Sequence, residues 1–185
     1  MMRVVILVAL VAELCGSVRG HKMRYCPHST GNKLVCYYTN WAYKRQAPAS
    51  FTPADIDPEV CTHLIYAFAR VDKITFHIEP TDLENDIIGM EYYKQFTGLK
   101  VKNPKLKTLL AVGGRAHASE GFTQMVKTAD SRKIFIDHSI QYLRKYNFDG
   151  LDLHWEYPWF RSVYHFKEVL VVSKELDSYS LYCVK

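Results

Sequence analysis

The sequence lacks a hydrophobic run long enough to cross a membrane. Its longest apolar stretch, Val4–Ala12, falls well short of the roughly 20 residues that a spanning helix needs. Arg3 precedes this stretch and small residues follow it, which is the pattern of a secretory signal peptide. We therefore predict that residues 1–20 are a signal peptide and that the protein is secreted, extracellular and free of the membrane. The small residues are Cys15, Gly16, Ser17 and Gly20.

Runs of like charge and internal repeats are also missing. The 24 Lys and Arg residues and 19 Asp and Glu residues are interspersed, and together they give a formal net charge of +5. No basic run of the kind that tracks a phosphate backbone occurs, so we predict no nucleic-acid partner. Gly113-Gly114 lacks the third glycine of a dinucleotide-binding fingerprint.

Cysteine is scarce and its spacing excludes a zinc site. Cys15 would leave with the signal peptide, and the other four cysteines would enter an oxidising compartment in which disulfides persist. No two of them lie at the short spacing of zinc ligands, and no other His, Cys or carboxylate cluster has metal spacing. We predict neither a metal nor another cofactor. The four cysteines are Cys26, Cys36, Cys61 and Cys183.

Apolar strands alternate with helices along the remaining chain. Residues 21–32 are polar and turn-rich and are predicted to form a leader. The helix that starts at 90 should end before Asn103-Pro104, because a residue before proline avoids the α region, and Ser131 is predicted to cap the next one. The predicted strands are Leu34–Thr39, Thr62–Ala69, Lys107–Val112 and Phe148–Trp155, and the predicted helices are Met90–Lys102, Ser131–Tyr146 and Phe166–Leu176.

This order indicates an α/β fold with a parallel sheet covered on its outer face. Periodicity by itself leaves two architectures open, a (β/α)₈ barrel and an open doubly wound sheet.

The segment Asp149–Pro158, read Asp-Gly-Leu-Asp-Leu-His-Trp-Glu-Tyr-Pro, concentrates the chemistry of the chain. Side chains alternate between the two faces of a strand, so Asp152, His154 and Glu156 should share one face. Leu151, Leu153 and Trp155 should share the other face and lie in the core. Ionisable groups on a buried strand are costly unless they are paired or used, which makes this row a candidate site.

The segment resembles the Asp-X-X-Asp-X-Asp-X-Glu signature of glycoside hydrolase family 18, which contains the chitinases and chitinase-like proteins. Residues 33–41 (Lys-Leu-Val-Cys-Tyr-Tyr-Thr-Asn-Trp), 51–58 and 61–68 agree in order and spacing. The resemblance implies a (β/α)₈ barrel, of which this chain supplies about the first four βα units. It implies a truncated domain at 33–176 and an unmatched tail at 177–185, because a complete barrel takes roughly 250 residues.

The resemblance also implies a mechanism in which the acetamido oxygen of the sugar attacks the anomeric carbon. Glu156 would protonate the leaving oxygen, and Asp149 and Asp152 occupy family positions. His154 stands where the family has a third Asp that orients the acetamido group. An imidazole carries no negative charge to stabilise the developing positive charge, and losing such a contact typically costs about a hundredfold or more in rate. We expect that Asp152 can still hydrogen-bond His154, in a structural network instead of a reactive one.

The same resemblance implies the remaining site residues and one disulfide. Arg115 replaces an aromatic sugar platform of the family. Cys36 and Cys61 match a family disulfide, whereas Cys26 and Cys183 are unmatched. The implied substrate-binding residues are Tyr37, Trp41, Phe68, Gly113, Gly114 and Tyr157.

The implied function is that of a secreted chitinase-like protein that binds chitin or chito-oligosaccharides with weak or no hydrolysis. Two alternatives remain open. One is an active endochitinase with Glu156 as its acid, and the other is a non-functional truncated fragment. Half a barrel would leave unpaired sheet edges and an uncovered apolar interior. We therefore expect that the protein can self-associate through its exposed sheet edges.

Overall fold

The computed structural model describes residues 33–156 and 180–183 of the chain. The predicted signal peptide, leader and helix at 166–176 lie outside these residues. Within the described part, no helix combines the length and apolarity required to cross a membrane.

Five parallel strands form the sheet, and their spatial order is β1-β2-β4-β5-β6. A short sixth strand, β3, pairs antiparallel with the end of β2. The four predicted strands are present with shifted ends, whereas β3 and β6 were not predicted. The bounds are β1 Val35–Thr39, β2 His63–Val71, β3 Ile78–Pro80, β4 Lys107–Gly113, β5 Gly150–His154 and β6 Ser180–Cys183.

Three helices accompany the strands: α1 (Tyr92–Gly98), α2 (Ala118–Met125) and α3 (Ala129–Lys145). The predicted Met90–Lys102 helix is shorter than expected and ends in a 3₁₀ turn at Leu99–Val101. Helix α2 and a π-helical turn at Glu84–Ile88 were not predicted.

The predicted cap of α3 is wrong by three residues. Thr128 is the N-cap, and its hydroxyl oxygen accepts the backbone N–H of Ser131 at 3.1 Å. The Ser131 hydroxyl accepts the Thr128 N–H in return, at 3.2 Å. This reciprocal pair is a capping box, in which the third helical residue also has a capping side chain. Ser131 is therefore a partner of the cap and already helical.

The helices cover one face of the sheet and build the main core there. Side chains such as Tyr66, Leu110 and Leu151 point from the strands into this outer core, where they meet Phe96 and Phe135 from the helices. Burying such side chains stabilises the fold by about 1.5–3 kcal/mol each, which explains why apolar residues run almost unbroken through β2 and β4.

The opposite, inner face carries a smaller apolar cluster that is almost inaccessible. Ile65, Ala67, Leu109 and Ala111 are each exposed by 1% or less. The expectation of an uncovered apolar interior is wrong for these residues. The Tyr37 hydroxyl of β1 reaches Asp152 of β5 at 2.9 Å, although a flat sheet would separate these strands by about 14 Å. The sheet is therefore strongly curled, as in a barrel wall.

A disulfide joins Cys36 of β1 to Cys61, which lies just before β2, with 6.2 Å between the Cα atoms. This confirms the predicted pairing. Strands β1 and β2 are therefore joined by a covalent bond in addition to the hydrogen bonds of their parallel pairing.

Candidate functional site

The row of ionisable side chains on β5 has the predicted geometry. Leu151, Leu153 and Trp155 belong to the outer core, and the Trp155 ring stacks on Phe122 of α2 with 5.3 Å between the centroids. Asp152, His154 and Glu156 lie on the other side of the strand. Because β5 is parallel to its neighbours, the row ends at the carboxyl edge of the sheet, where barrels of this kind place their active sites.

Gly113 and Gly114 let β4 approach this row closely. Both have positive φ, +113° and +76°, and the Gly114 N–H donates to the carbonyl oxygen of His154 at 2.8 Å. A Cβ on Gly113 would overlap the same carbonyl, and a Cβ on Gly114 would lie 2.9 Å from the Phe68 ring. The two glycines are thus required by the backbone geometry beneath the site.

Asp152 is the most deeply buried group of the row, with 0% of its surface exposed. Burial raises the pKa of this carboxyl to about 6, although the hydrogen bond from Tyr37 and the interaction with His154 pull in the opposite direction. Burial, followed by the effect of Asp152, raises the pKa of the Tyr37 phenol well above its usual value. Tyr37 therefore remains a hydrogen-bond donor to Asp152 throughout the physiological range.

His154 pairs with Glu156, contrary to the expected bond with Asp152. The imidazole Nε2 lies 2.8 Å from Glu156 Oε1. Asp152 Oδ1 and His154 Nδ1 are buried and make no hydrogen bond with the described residues. The expected Asp152–His154 hydrogen bond is wrong because Tyr37 reaches Asp152 from the far side of the curled sheet and the imidazole turns towards the carboxyl edge.

The raised pKa of Asp152 leads to a pH prediction. A carboxyl with a folded-state pKa above its unfolded value binds its proton more tightly in the folded protein. Its contribution to stability is complete below pH 4 and is lost as the pH rises through 6. We expect Asp152→Asn to lack this loss. Between pH 4 and pH 7, the unfolding free energy of the variant should therefore rise relative to that of the wild type by up to about 3 kcal/mol.

Urea unfolding at several pH values measures this change. Asp57→Asn, at an exposed carboxyl, is the matched control and should follow the wild-type profile. Parallel wild-type and Asp152→Asn profiles would show that burial does not perturb this carboxyl.

The structure places Asp149 away from the row of ionisable side chains on β5. It lies at the amino end of β5, where its Oδ2 accepts hydrogen bonds from the Thr108 backbone N–H at 2.8 Å and from Lys100 Nζ at 3.0 Å. Burial raises the pKa of Asp149, but these hydrogen bonds outweigh burial and hold the pKa below its usual value. Asp149 fastens β5 to β4 and contributes no group to the carboxyl edge.

Aromatic side chains border the row at the carboxyl edge. The Trp41 ring is 46% exposed and stacks on Phe68, with 6.1 Å between centroids and an interplanar angle of 21°. Phe68 in turn lies 5.1 Å from the His154 ring. Tyr37 is 39% exposed. The structure therefore brings together Tyr37, Trp41, Phe68, Gly113 and Gly114 beside the ionisable row, and Tyr157 lies outside the described residues.

A buried network of hydrogen bonds supports the backbone beside these aromatic side chains. It was not predicted from the sequence. The Asn40 side chain donates to Thr81 at 2.8 Å and to Asp86 at 3.3 Å, and the Thr81 hydroxyl donates to the Phe68 carbonyl at 2.6 Å. Tyr66 donates to Asp86 at 2.6 Å. Burial raises the pKa of Asp86 to about 6 despite these donors. The signal in the sequence was Asn40 itself, a polar residue between a strand and Trp41.

Among the described residues, no group of three His, Cys, Asp or Glu side chains could hold a metal ion. A cavity of about 320 Å³ lies elsewhere, on the outer side of the sheet between α1 and the end of α3, and none of the predicted site residues line it. The ionisable row is instead open at the carboxyl edge, where His154 and Glu156 expose 23% and 27% of their side chains. A ligand can reach both.

Comparison with known proteins identifies the family of this site. The sequence model described as Glycosyl hydrolases family 18 matches residues 33–180. Chitotriosidase-1 from Mus musculus and chitinase-3-like protein 2 from Homo sapiens are each 48% identical over 126 residues. Those matches cover 68% of this chain, but 26% and 31% of the two relatives. The chain therefore spans about a third or less of these relatives.

Solved structures agree with the fold. A group IV chitinase from Ostrinia furnacalis superposes with a TM-score of 0.77 at 37% identity, covering 82% of this chain and 43% of the other. Human YKL-39, described as a pseudo-chitinase with retained chitooligosaccharide binding properties, superposes with a TM-score of 0.73 at 39% identity, covering 83% and 43%. The sheet described above is thus part of a (β/α)₈ barrel, and the chain belongs to glycosyl hydrolase family 18.

Proposed function

We propose that this protein is a secreted chitinase-like protein that binds chito-oligosaccharides at the carboxyl edge of its sheet and hydrolyses them weakly or not at all. The observation that carries the proposal is the 2.8 Å contact between His154 Nε2 and Glu156 Oε1. Under this proposal Glu156 occupies the position of the catalytic acid, and its hydrogen bond with the neighbouring imidazole interferes with proton donation.

The hydrogen-bond pattern around His154 supports weak catalysis. Nδ1 is buried and has no partner among the described residues, so a proton placed there would be a buried, unpaired donor. The contact with Glu156 therefore favours a ring proton on Nε2, where it can be donated to Glu156. This hydrogen bond uses Glu156 as an acceptor, whereas the substrate-assisted reaction needs Glu156 to donate a proton to the leaving oxygen.

The missing negative charge next to Glu156 acts in the same direction. The acetamido group becomes positively charged as its oxygen attacks the anomeric carbon, and a neighbouring carboxylate would stabilise that charge. The His154 imidazole carries no negative charge in either protonation state, and Asp152 is fully buried and bound to Tyr37. The site therefore has little electrostatic stabilisation to offer the transition state.

The aromatic border supports binding without turnover. Trp41 exposes nearly half its surface, and its stacking on Phe68 keeps the ring fixed beside the row. Sugar-sized ligands bind to apolar and aromatic walls that carry a few oriented polar groups, which is the arrangement here. YKL-39, a structural relative with retained chitooligosaccharide binding, is described as a pseudo-chitinase.

Calorimetric titration with chitohexaose tests the binding. We expect saturable binding to the wild-type protein and a Kd at least about tenfold weaker for Trp41→Ala, because truncating an aromatic anchor typically costs more than 1 kcal/mol. Ile74→Ala is the matched control, since Ile74 is 77% exposed and lies in the β2–β3 turn. Equal affinities for the wild type and Trp41→Ala would place the sugar elsewhere.

Hydrolysis needs its own assay, because Glu156 is present and accessible, which favours active endochitinase as the second candidate function. Release of a fluorophore from a chito-oligosaccharide glycoside measures turnover. We expect little release from the wild type and none that depends on Glu156. Release that Glu156→Gln abolishes would favour the endochitinase.

A further inference from the structure

We propose that the sugar-binding edge prefers chito-oligosaccharides that carry negative charge, in the form of sulfate or carboxylate groups, over neutral ones. Arg45 and Arg115 would supply the recognition. This inference rests on the proposed function and names the ligand class for the same site.

The position of Arg115 follows from the two glycines at the end of β4. Gly114 is anchored to the His154 carbonyl and lies against the Phe68 ring. Arg115 comes directly after it, begins a 3₁₀ turn at Arg115–His117, and is exposed. One cation is therefore located at the carboxyl edge beside Phe68.

Arg45 brings a second cation to the same edge. It ends the 3₁₀ turn Ala42–Lys44 that follows Trp41, and its Nη2 lies 3.5 Å from the Thr39 hydroxyl at the last residue of β1. Its side chain is exposed. Arg45 is thus held at the carboxyl end of β1, on the same edge as Arg115.

Phe68, on which Trp41 stacks, belongs to β2, the strand between the two strands that precede Arg45 and Arg115. Strand β2 separates β1 from β4, so the strand ends that carry Arg45 and Arg115 are about 10 Å apart. An oligosaccharide that stacks on the exposed Trp41 ring would therefore pass along a strip with a guanidinium at each side. Groups projecting from its sugar rings would point towards these cations.

The carboxylates of this edge already have partners. Asp152 accepts from Tyr37, Glu156 bonds His154, and Asp82 accepts from Tyr43 at 2.6 Å. Neither arginine takes part in an ion pair within the described residues. Guanidinium groups bind sulfate and carboxylate oxygens through paired N–H donors, so two exposed arginines without an ion pair among the described residues match an anionic sugar.

The experiment compares three probes in low-salt buffer: chitohexaose, sulfated chitohexaose and carboxymethylated chitohexaose. We expect wild-type protein to bind both charged probes more tightly than the neutral one. Each of Arg45→Gln and Arg115→Gln should lower that preference by about two- to fivefold, as exposed charge contacts do. The affinity of each variant for neutral chitohexaose is the reference against which its preference for the charged probes is calculated. The preference should shrink in 0.5 M salt, because exposed charges are then screened.

Lys102→Ala is the control for nonspecific attraction. Lys102 is exposed and lies before β4, at the amino edge of the sheet, so this variant loses the same unit charge at a distance from the site. It should keep the wild-type preference.

Two outcomes would overturn the inference. One is equal affinity for neutral and charged probes, and the other is a loss in Lys102→Ala as large as that in Arg115→Gln. Both leave the proposed function standing, because chitohexaose would still bind. Failure of all three probes would instead contradict the proposed function itself. If only one charged probe were preferred, that result would support the inference and identify the anion.

Discussion

Replacing Gly113 with alanine is expected to lower the free energy of unfolding by about 4 kcal/mol. Gly113 has a φ of +113°, a region that residues with a Cβ rarely enter, and the strain of such a conformation costs about 1–3 kcal/mol. The new methyl group would also overlap the carbonyl oxygen of His154 and come within 2.8 Å of the Phe122 ring. Forcing an extra methyl group into a packed site costs a further 1–3 kcal/mol.

The clash cannot be relieved cheaply, because the opposing atom is backbone. The His154 carbonyl belongs to β5 and accepts the Gly114 N–H at 2.8 Å. Moving it would displace His154 and with it the contact to Glu156. We therefore expect Gly113→Ala to weaken chitohexaose binding in addition to lowering stability.

Urea unfolding followed by circular dichroism gives the loss of stability, and Gly98→Ala is the matched control. Gly98 has a φ of −65°, and a Cβ there would meet nothing within 4 Å. Alanine at this helical position should be neutral or stabilising by up to about 1 kcal/mol. If Gly113→Ala and Gly98→Ala unfolded at the same urea concentration, the close approach of β4 and β5 described here would be wrong.

Removing the disulfide by the double substitution Cys36→Ser and Cys61→Ser is expected to cost about 3–4 kcal/mol. The two residues are 25 positions apart, and a cross-link that closes a loop of this length restricts the unfolded chain by about that amount. The bond also connects β1, the first strand of the sheet, to the chain that enters β2.

Thermal unfolding of the double variant measures this loss. Wild-type protein in excess reductant should lose the same amount, whereas reductant should leave the double variant unchanged. A further loss on adding reductant to the double variant would mean that another cysteine pair also stabilises the protein. Cooperative melting of the wild type would in addition argue against the reading of this chain as a non-functional fragment.

The hydrogen bond that Tyr37 makes across the concave face determines how the ionisable groups of the site pair with one another. Tyr37 donates to Asp152 from the other side of the curled sheet, so the carboxylate of Asp152 is turned inward and its partner is fixed. His154 is left to Glu156, and the row is divided into two pairs. This division leaves Glu156 paired with His154 and separates it from the Asp152 carboxylate.

Much of the site could be predicted from local patterns. The two-residue period of a strand correctly predicted that Asp152, His154 and Glu156 share one face and that Trp155 lies in the core. The resemblance to the family correctly implied the Cys36–Cys61 pair and the barrel fold. The strand alternation depends on a short stretch of sequence, because the physical rule that governs it acts over a few residues, whereas the disulfide and the barrel followed from the family resemblance.

Three features depended on the tertiary structure, since each joins residues far apart in the chain. The Tyr37–Asp152 bond spans 115 positions and exists only because the sheet curls. The buried network around Asp86 and the Arg45–Arg115 strip likewise require strand ends to meet at one edge.

The sequence by itself determined four of the strands and the inward face of β5, because side-chain alternation is a local property, and the family resemblance added the exchange of a carboxylate for an imidazole at His154. Which partner each ionisable group takes was decided only by the curvature of the packed sheet. Curvature depends on how all the strands and helices pack together.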